Sequence, residues 1–312
     1  MNVDWLIVGA GYTGAILAER IASQLNQRVL LVDRRDHIAG NAYDSANEHG
    51  ILVHRYGPHI FHTNSKKVFH YLSGFTEWRP YFHKVLGWVE GQLIPIPFNL
   101  NSLAAVFSPR YAEKLQDALL AEYGHGAKVP ILRMREHSNP DLRFLAKYIY
   151  DNVFAGYTVK QWELTPEELD PGVTGRVPVF ISRDDRYFQD TWQAMPRLGY
   201  TEMFRRILAH RNIHLLLNTD YRDLAGQVRF NRMIFTGPID TYFDQLHGPL
   251  PYRSLRFEVR TLDTEWHQPC GTVNYPNEYD FTRITEQKHL TGQTGPKTTI
   301  LTEFPQIGRA HV

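Results

Sequence analysis

The sequence predicts an α/β fold in which a parallel βαβ core is interrupted by an inserted helical domain and followed by an antiparallel sheet region. Three observations carry this. A short apolar run, Trp5-Leu6-Ile7-Val8, leads into a glycine-rich turn and then a helical segment. Helical spacing of apolar residues dominates from about 81 to 185, and from Ile213 onward they fall into short β-prone stretches.

The first element is the strand 5–8, and the turn after it reads Gly9-Ala10-Gly11-Tyr12-Thr13-Gly14. A helix over Ala15 to Leu25 follows, with Ile16, Leu17, Ile21 and Leu25 near one face, and then the strand Val29-Leu30-Leu31-Val32, which ends at Asp33. In that context the turn has a physical reading. Gly9 permits the tight bend, Gly11 lets backbone approach a pyrophosphate, Gly14 lets helix pack on strand, and the helix N-terminus, opened by Tyr12 and Thr13, faces the phosphate charge. Asp33 is placed to accept hydrogen bonds from a ribose hydroxyl. Residues 1–80 are therefore expected to form a Rossmann-like dinucleotide-binding domain, continued around 205–240. Beyond Asp33, the run Arg34-Arg35-Asp36-His37-Ile38-Ala39-Gly40-Asn41 favours FAD over NAD, because a close small-residue approach follows the ribose acid. Arg34, Gly40 and Asn41 are its candidate contacts. Ala39 stands where that pattern usually has a second glycine, which a methyl group tolerates if the backbone angles are ordinary.

In the second region, a helix over Ala112 to Tyr123 follows Ser108-Pro109, and Leu142, Leu145, Ile149 and Val153 repeat at helical spacing after Asn139-Pro140. Asp170-Pro171-Gly172 marks a mobile loop. Residues 186–305 are read as a sheet region and a return to the first domain, with His214 to Leu217, Met233 to Phe235 and Thr298 to Leu301 as strand candidates.

Composition narrows the function classes. With 43% hydrophobic and 21% charged residues the chain is globular, and a formal net charge of +1 gives no field for nucleic acid or an anionic membrane. A single cysteine, Cys270, rules out an intramolecular disulfide and fits a reducing cytoplasm. No apolar run approaches the ~20 residues of a membrane span, so no membrane insertion is expected, and Met1 leads into a strand with no signal-peptide pattern. His59 and His62, three apart in an aromatic loop, suit a zinc site in principle. No third ligand lies at an evident offset, so no metal is expected.

Further motifs occur in order: Phe154 to Trp162, Gly175-Arg176-Val177-Pro178, Asp184 to Phe188, Gly199-Tyr200-Thr201, Thr236 to Asp240, Tyr252 to Leu255 and Phe281 to Ile284. Together with Tyr56 to Thr63, they resemble the UDP-galactopyranose mutases over residues 1 to about 305. The resemblance implies an FAD enzyme, active in its reduced form, that interconverts UDP-galactopyranose and UDP-galactofuranose through a flavin–sugar adduct, for cell-surface polysaccharide synthesis. It implies that Tyr157 and Trp162 stack at the uridine end and that Arg176 and Arg283 hold the diphosphate with Tyr187. It places Arg253 near flavin and sugar, Asn99 toward the sugar, and His59 and His62, with Gly237 of the returning segment, beside the cofactor. Phe180 departs from a pattern that often has a second arginine there. The family pattern continues past the end of this chain, and residues 306–312 match none of it, so a truncated chain that only binds nucleotide is one alternative. An amine-oxidase-like FAD oxidoreductase is another, and a homodimer is compatible with everything read here.

Overall fold

The computed structural model describes residues 1–170, 178–250 and 252–307, and the counts given concern those residues. The chain divides into two compact units, one formed by residues 1–81 and 190–251 and the other by residues 82–189 and 252–312.

In the first unit, β1 (Asn2–Val8), α1 (Tyr12–Gln24) and β2 (Val29–Val32) form the expected βαβ start. A four-stranded parallel sheet orders Ile213–Leu216, β2, β1 and Arg229–Phe235. All four residues of β2 are buried, as a continuous apolar run between neighbours requires. The face of α1 that meets the sheet differs from the expected one. Gly14, Ala15, Ala18, Ile21 and Ala22 are buried while Leu25 is 58% exposed, because a helix that must lie close to a strand buries its small residues. Two smaller antiparallel sheets complete the unit. Asp44–Ala46 pairs with Leu52–His54, and Trp192–Pro196 lies between Phe61–Thr63 and Trp78–Pro80.

Asp44, 2% exposed, ties these pieces together. Its carboxylate accepts from the backbone N–H groups of Tyr200 (2.7 Å) and Thr201 (2.8 Å), the first turn of the helix Tyr200–Ile207. Gly199 makes this possible, since a Cβ there would lie 2.6 Å from the Asp44 carboxylate. The Gly-Tyr-Thr motif thus has a packing reason.

The second unit holds a six-stranded mixed sheet in the order Arg253–Leu262, Thr298–Ile307, Arg283–Glu286, Thr272–Asn274, Val85–Val89 and Gln92–Ile96. Its last two strands lie in a stretch expected to be helical. Val85, Gly87 and Val89 are buried in alternation and Val85–Val89 pairs with Gln92–Ile96 as a hairpin, but Gly87 and Pro95 mask the strand signature in sequence. The remainder of the region is helical. Pro109–Tyr123 and Pro140–Ile149 pack Leu115, Leu119, Leu142, Leu145 and Ile149 into one core with Val85, Ile94 and Ile96. Each of these helices has proline in its first turn, where a missing N–H costs nothing. The second continues as a π-helical turn, Tyr150–Ala155, and then as Gly156–Trp162, so residues 140–162 form one helical rod.

Candidate functional site

The residues expected from sequence to bind a cofactor lie in the first unit, and the described ones expected to bind substrate lie in the second. In the first, the turn after β1 is bare for steric reasons that can be given atom by atom. A Cβ on Gly14 would lie 1.8 Å from the Gly9 carbonyl oxygen, and one on Gly9, whose φ is +105°, would lie 2.2 Å from Thr236 Oγ1. Thr236 Oγ1 donates to the Val8 carbonyl at 2.8 Å, so the returning segment that carries Gly237 is stitched to the end of β1. Gly40 (φ +55°) comes so close to the turn that a Cβ would lie 3.0 Å from the Gly11 Cα, and Ala39 N donates to Ala10 O at 2.9 Å. Gly11, with φ −79°, keeps an open side at the N-terminus of α1, and Thr13 is exposed in its first turn. This is a cradle that a Cβ would fill, beside unpaired helix N–H groups, and it fits a dinucleotide pyrophosphate.

The Asp33 carboxylate braces that cradle. It accepts from Ala10 N (2.7 Å) and Arg35 N (2.9 Å), one bond on each oxygen, which leaves each a lone pair for a ribose hydroxyl. Arg34 is exposed beside it. Arg35, which the sequence did not single out, donates to Asn41 Oδ1 at 3.0 Å and lies 4.7 Å over the Tyr56 ring, while Tyr56 OH meets His37 Nε2 at 2.8 Å. Tyr12 turns inward, its ring edge-on to Phe204 at 4.7 Å.

Ala39 does not have ordinary angles. At φ 74° and ψ −1° it is left-handed and 1% exposed, a conformation that costs a non-glycine residue roughly 1–2 kcal/mol. Ala39→Gly relieves that strain but loosens the unfolded chain by about 0.4–1 kcal/mol, leaving a net gain of about 0.5–1 kcal/mol. A urea unfolding midpoint that fails to rise would refute it.

His59 and His62 have separate partners. His59 N donates to the buried His54 Nδ1 (3.2 Å), and its own Nδ1 lies 3.1 Å from Gly57 O; burial pulls its pKa below the usual value. His62, on the strand Phe61–Thr63, faces Asp190 Oδ2 at 3.0 Å. Among the described residues no group of three His, Cys, Asp or Glu side chains is arranged to hold a metal ion. Burial, helped by His59, pushes His54 down to about 3 from 6.5. The unfolded chain therefore binds a proton there that the folded chain refuses. The stability this gives is complete above pH 6.5 and is lost as pH falls from 6.5 toward 3, by a few kcal/mol at order of magnitude. A urea titration against pH checks it, and His54→Gln should flatten the profile.

In the second unit, Tyr157 projects from the end of the rod and its hydroxyl accepts from Arg283 Nη2 (2.7 Å) and Gln161 Nε2 (3.0 Å). Arg283 pairs with Glu303 across neighbouring strands, with Nε 3.3 Å from Glu303 Oε2; the arginine side chain is 28% exposed and the glutamate 2%. Burial would draw Arg283 down, but Tyr157, Glu303 and Tyr187 hold it above its ordinary value, so it stays cationic. Burial pushes Glu303 up despite Arg283, and Tyr157 up as well. Tyr187 sits on the same cluster, its ring edge-on to His83 at 5.9 Å. A cation fixed by a tyrosine on one side and a carboxylate on the other, with an open edge, suits an anionic ligand. Glu303 was not legible as its partner.

The other expected contacts fare differently. Arg253 Nη2 donates to Trp162 O at 2.8 Å and so caps the C-terminus of the rod. Asn99, expected to face a sugar, is 2% exposed and serves the protein itself. Its side chain caps the helix Leu100–Val106 and donates to Asp185 Oδ1 at 3.0 Å. Phe180 is buried in the short strand Val179–Phe180, so a cation is replaced there by core packing. Arg176 and the loop around it lie outside the described residues.

Among the described residues no helix is long and apolar enough to cross a membrane. A profile of the UDP-galactopyranose mutase family matches residues 152–311, and one described as an NAD(P)-binding Rossmann-like domain matches residues 7–75. Residues 7–75 of the first unit thus have a Rossmann-like fold. A probable UDP-galactopyranose mutase of Klebsiella pneumoniae is 36% identical over 93% of this chain and 74% of its own length. A dTDP-fucopyranose mutase of Escherichia coli is 33% identical over 95% of this chain and 79% of its own. Among solved structures, reduced UDP-galactopyranose mutase aligns with a TM-score of 0.63 over 98% of this chain and 74% of that one, at 14% identity. A putrescine oxidase variant aligns at 0.58 over 97% and 76%, at 12% identity, which extends the likeness of fold to an oxidase. Profile, sequence identity and coverage agree: the chain belongs to the UDP-galactopyranose mutase family.

Proposed function

We propose that this protein is an isomerase that interconverts UDP-galactopyranose and UDP-galactofuranose with reduced FAD. The observation that carries the reading is the Tyr157–Arg283–Glu303 cluster, a partly exposed cation hydrogen-bonded to a tyrosine and ion-paired with a buried carboxylate, in a chain that also carries a bare glycine cradle for a dinucleotide. Gly9, Gly11, Gly14 and Gly40 would admit the FAD pyrophosphate, with Asp33 on the ribose and Arg34 and Asn41 alongside. When bound, reduced flavin supplies a nucleophilic ring nitrogen for an anomeric carbon without net oxidation. The chain's own part is to hold the nucleotide and stabilise charge on the departing diphosphate. Arg283 meets that charge with its free edge, and Tyr157 and Glu303 keep it from turning toward solvent, so little reorganisation is needed as charge develops. Tyr157 and Trp162 offer ring surface to uracil, Tyr187 a hydroxyl to the diphosphate, and Arg176 is proposed as the second cation. His59 and His62 belong to the cofactor side.

The test is to load the purified chain with FAD, add dithionite and then UDP-galactofuranose, and follow UDP-galactopyranose by chromatography. Product without consumption of oxidant supports the mutase. Loss of substrate with oxygen consumption and an oxidised sugar in place of UDP-galactopyranose supports an oxidase, and nucleotide binding without turnover leaves a binding chain. A parallel run with dTDP-fucopyranose addresses the sugar, since one relative is named for that compound.

A further inference from the structure

The π-helical turn Tyr150–Ala155 interrupts the rod just before Tyr157. Such turns are rare, occur mostly as single turns inside α-helices, and are frequent at functional sites. Here one short segment, residues 275–277, lies along one row of the helix. Asn277 Nδ2 donates to Asn152 O at 3.0 Å. Gly156 meets the middle of the segment, where a Cβ would lie 2.6 Å from both Pro276 O and Asn277 Oδ1. Lys160 Nζ donates to Tyr275 O at 2.8 Å. The three helix positions are four apart, and their partners run the other way, 277, 276, 275.

Helix geometry says why the π turn matters to this match. Four residues of an α-helix overshoot a full turn by ~40°, so positions 152, 156 and 160 of a plain α-helix would drift around the rod. A turn with i→i+5 bonds is wider, and four residues fall short of a full turn. One step of each kind cancels, and the row stays straight under the 275–277 segment. The same cancellation sets the rotation of residue 157, next to 156, and so aims the Tyr157 hydroxyl at Arg283. Segment and target are linked through one strand end, since Asn274 pairs directly with Arg283.

We infer that Asn277, acting through the π turn, is a positioning residue for nucleotide binding: it sets the register that brings Tyr157 to Arg283. The inference rests on the reading of that cluster as the diphosphate and uridine subsite. Two measurements on the full chain test it, using Asn277→Ala and, as the stronger perturbation, Gly156→Ala. The first is amide hydrogen exchange of residues 153–160 without ligand, expected to speed up at least tenfold in Asn277→Ala while the helix Pro109–Tyr123 is unchanged. The second is calorimetric binding of UDP, expected to weaken five- to twentyfold. In a Tyr157→Phe background the same Asn277→Ala change should cost less than twofold, because the two residues act through one contact. Unchanged exchange, unchanged UDP affinity, or effects that simply multiply would each overturn the inference. Faster exchange in the variant of a chain that binds no UDP even unmodified would instead bring down the functional reading, and the role in binding with it.

Discussion

Gly14→Ala is expected to abolish flavin retention and to destabilise the chain, whereas Gly11→Ala, three residues away in the same turn, should abolish retention alone. The difference lies in what each new methyl group meets. At Gly14 it would lie 1.8 Å from the Gly9 carbonyl oxygen and 3.4 Å from Ile7 Cγ2, so β1 and α1 must separate. Overpacking of that kind costs about 1–3 kcal/mol, and more where backbone must move. At Gly11 the methyl group would meet only the Gly40 Cα at 3.8 Å, an ordinary contact, and φ −79° suits alanine. The folded chain loses nothing, and the unfolded chain loses freedom, worth about 0.4–1 kcal/mol in favour of folding. What Gly11→Ala removes is room for the pyrophosphate, so flavin content after purification should fall at least tenfold with an unchanged or slightly higher urea midpoint. Full flavin content in Gly11→Ala would mean that the dinucleotide does not lie over this turn.

Arg283→Ala should have the largest effect on turnover, a loss of about 10²–10³ in kcat/KM, the magnitude of removing one preorganised donor from developing charge. It should also weaken the fold, because Glu303 is left buried without its cation. The sign of the pH dependence follows from burial, which already raises the Glu303 pKa above 4.5 with Arg283 pulling the other way. Without Arg283 it rises further, so the folded variant takes up a proton more readily than its unfolded chain. Stability from that proton is present in acid and is lost as pH climbs from about 4.5 through the folded value. The variant's deficit should therefore be small in acid and grow toward neutrality. Arg283→Lys keeps the charge but not the planar fork that reaches Tyr157 and Glu303 together, and should restore stability more than turnover. A deficit independent of pH would show that Glu303 is not the stranded group.

What could be read from sequence was what depends on neighbours along the chain. The glycine turn, the acid after β2 and the proline-started helices all express local conformation, and the structure has them where the spacing put them. The buried face of α1 was misread because apolar size was taken as the signal, when close approach to a strand selects alanine and glycine. The hairpin at Val85–Ile96 was missed for a related reason, since Gly87 and Pro95 weaken its pattern and pairing with Thr272–Asn274 stabilises it instead. Partners distant in sequence were out of reach. Nothing near Arg283 announces Glu303, and nothing near Gly199 announces Asp44. Asn99 shows the same limit, since nothing local in sequence announces that its side chain caps the helix Leu100–Val106 and reaches Asp185.

The strand Arg229–Phe235 lies directly against β1, and Thr236 reaches the Val8 carbonyl across 228 residues of chain. A nascent polypeptide emerging from the ribosome therefore carries β1 and β2 with one edge of β1 uncovered until Arg229–Phe235 has been made. Bringing ends that far apart together is entropically slow, and an uncovered apolar strand is a site for association with other chains. Vectorial synthesis thus leaves this parallel sheet vulnerable until its returning strand is made, and production at lower temperature or with chaperones should improve the soluble yield more than changes confined to the second unit.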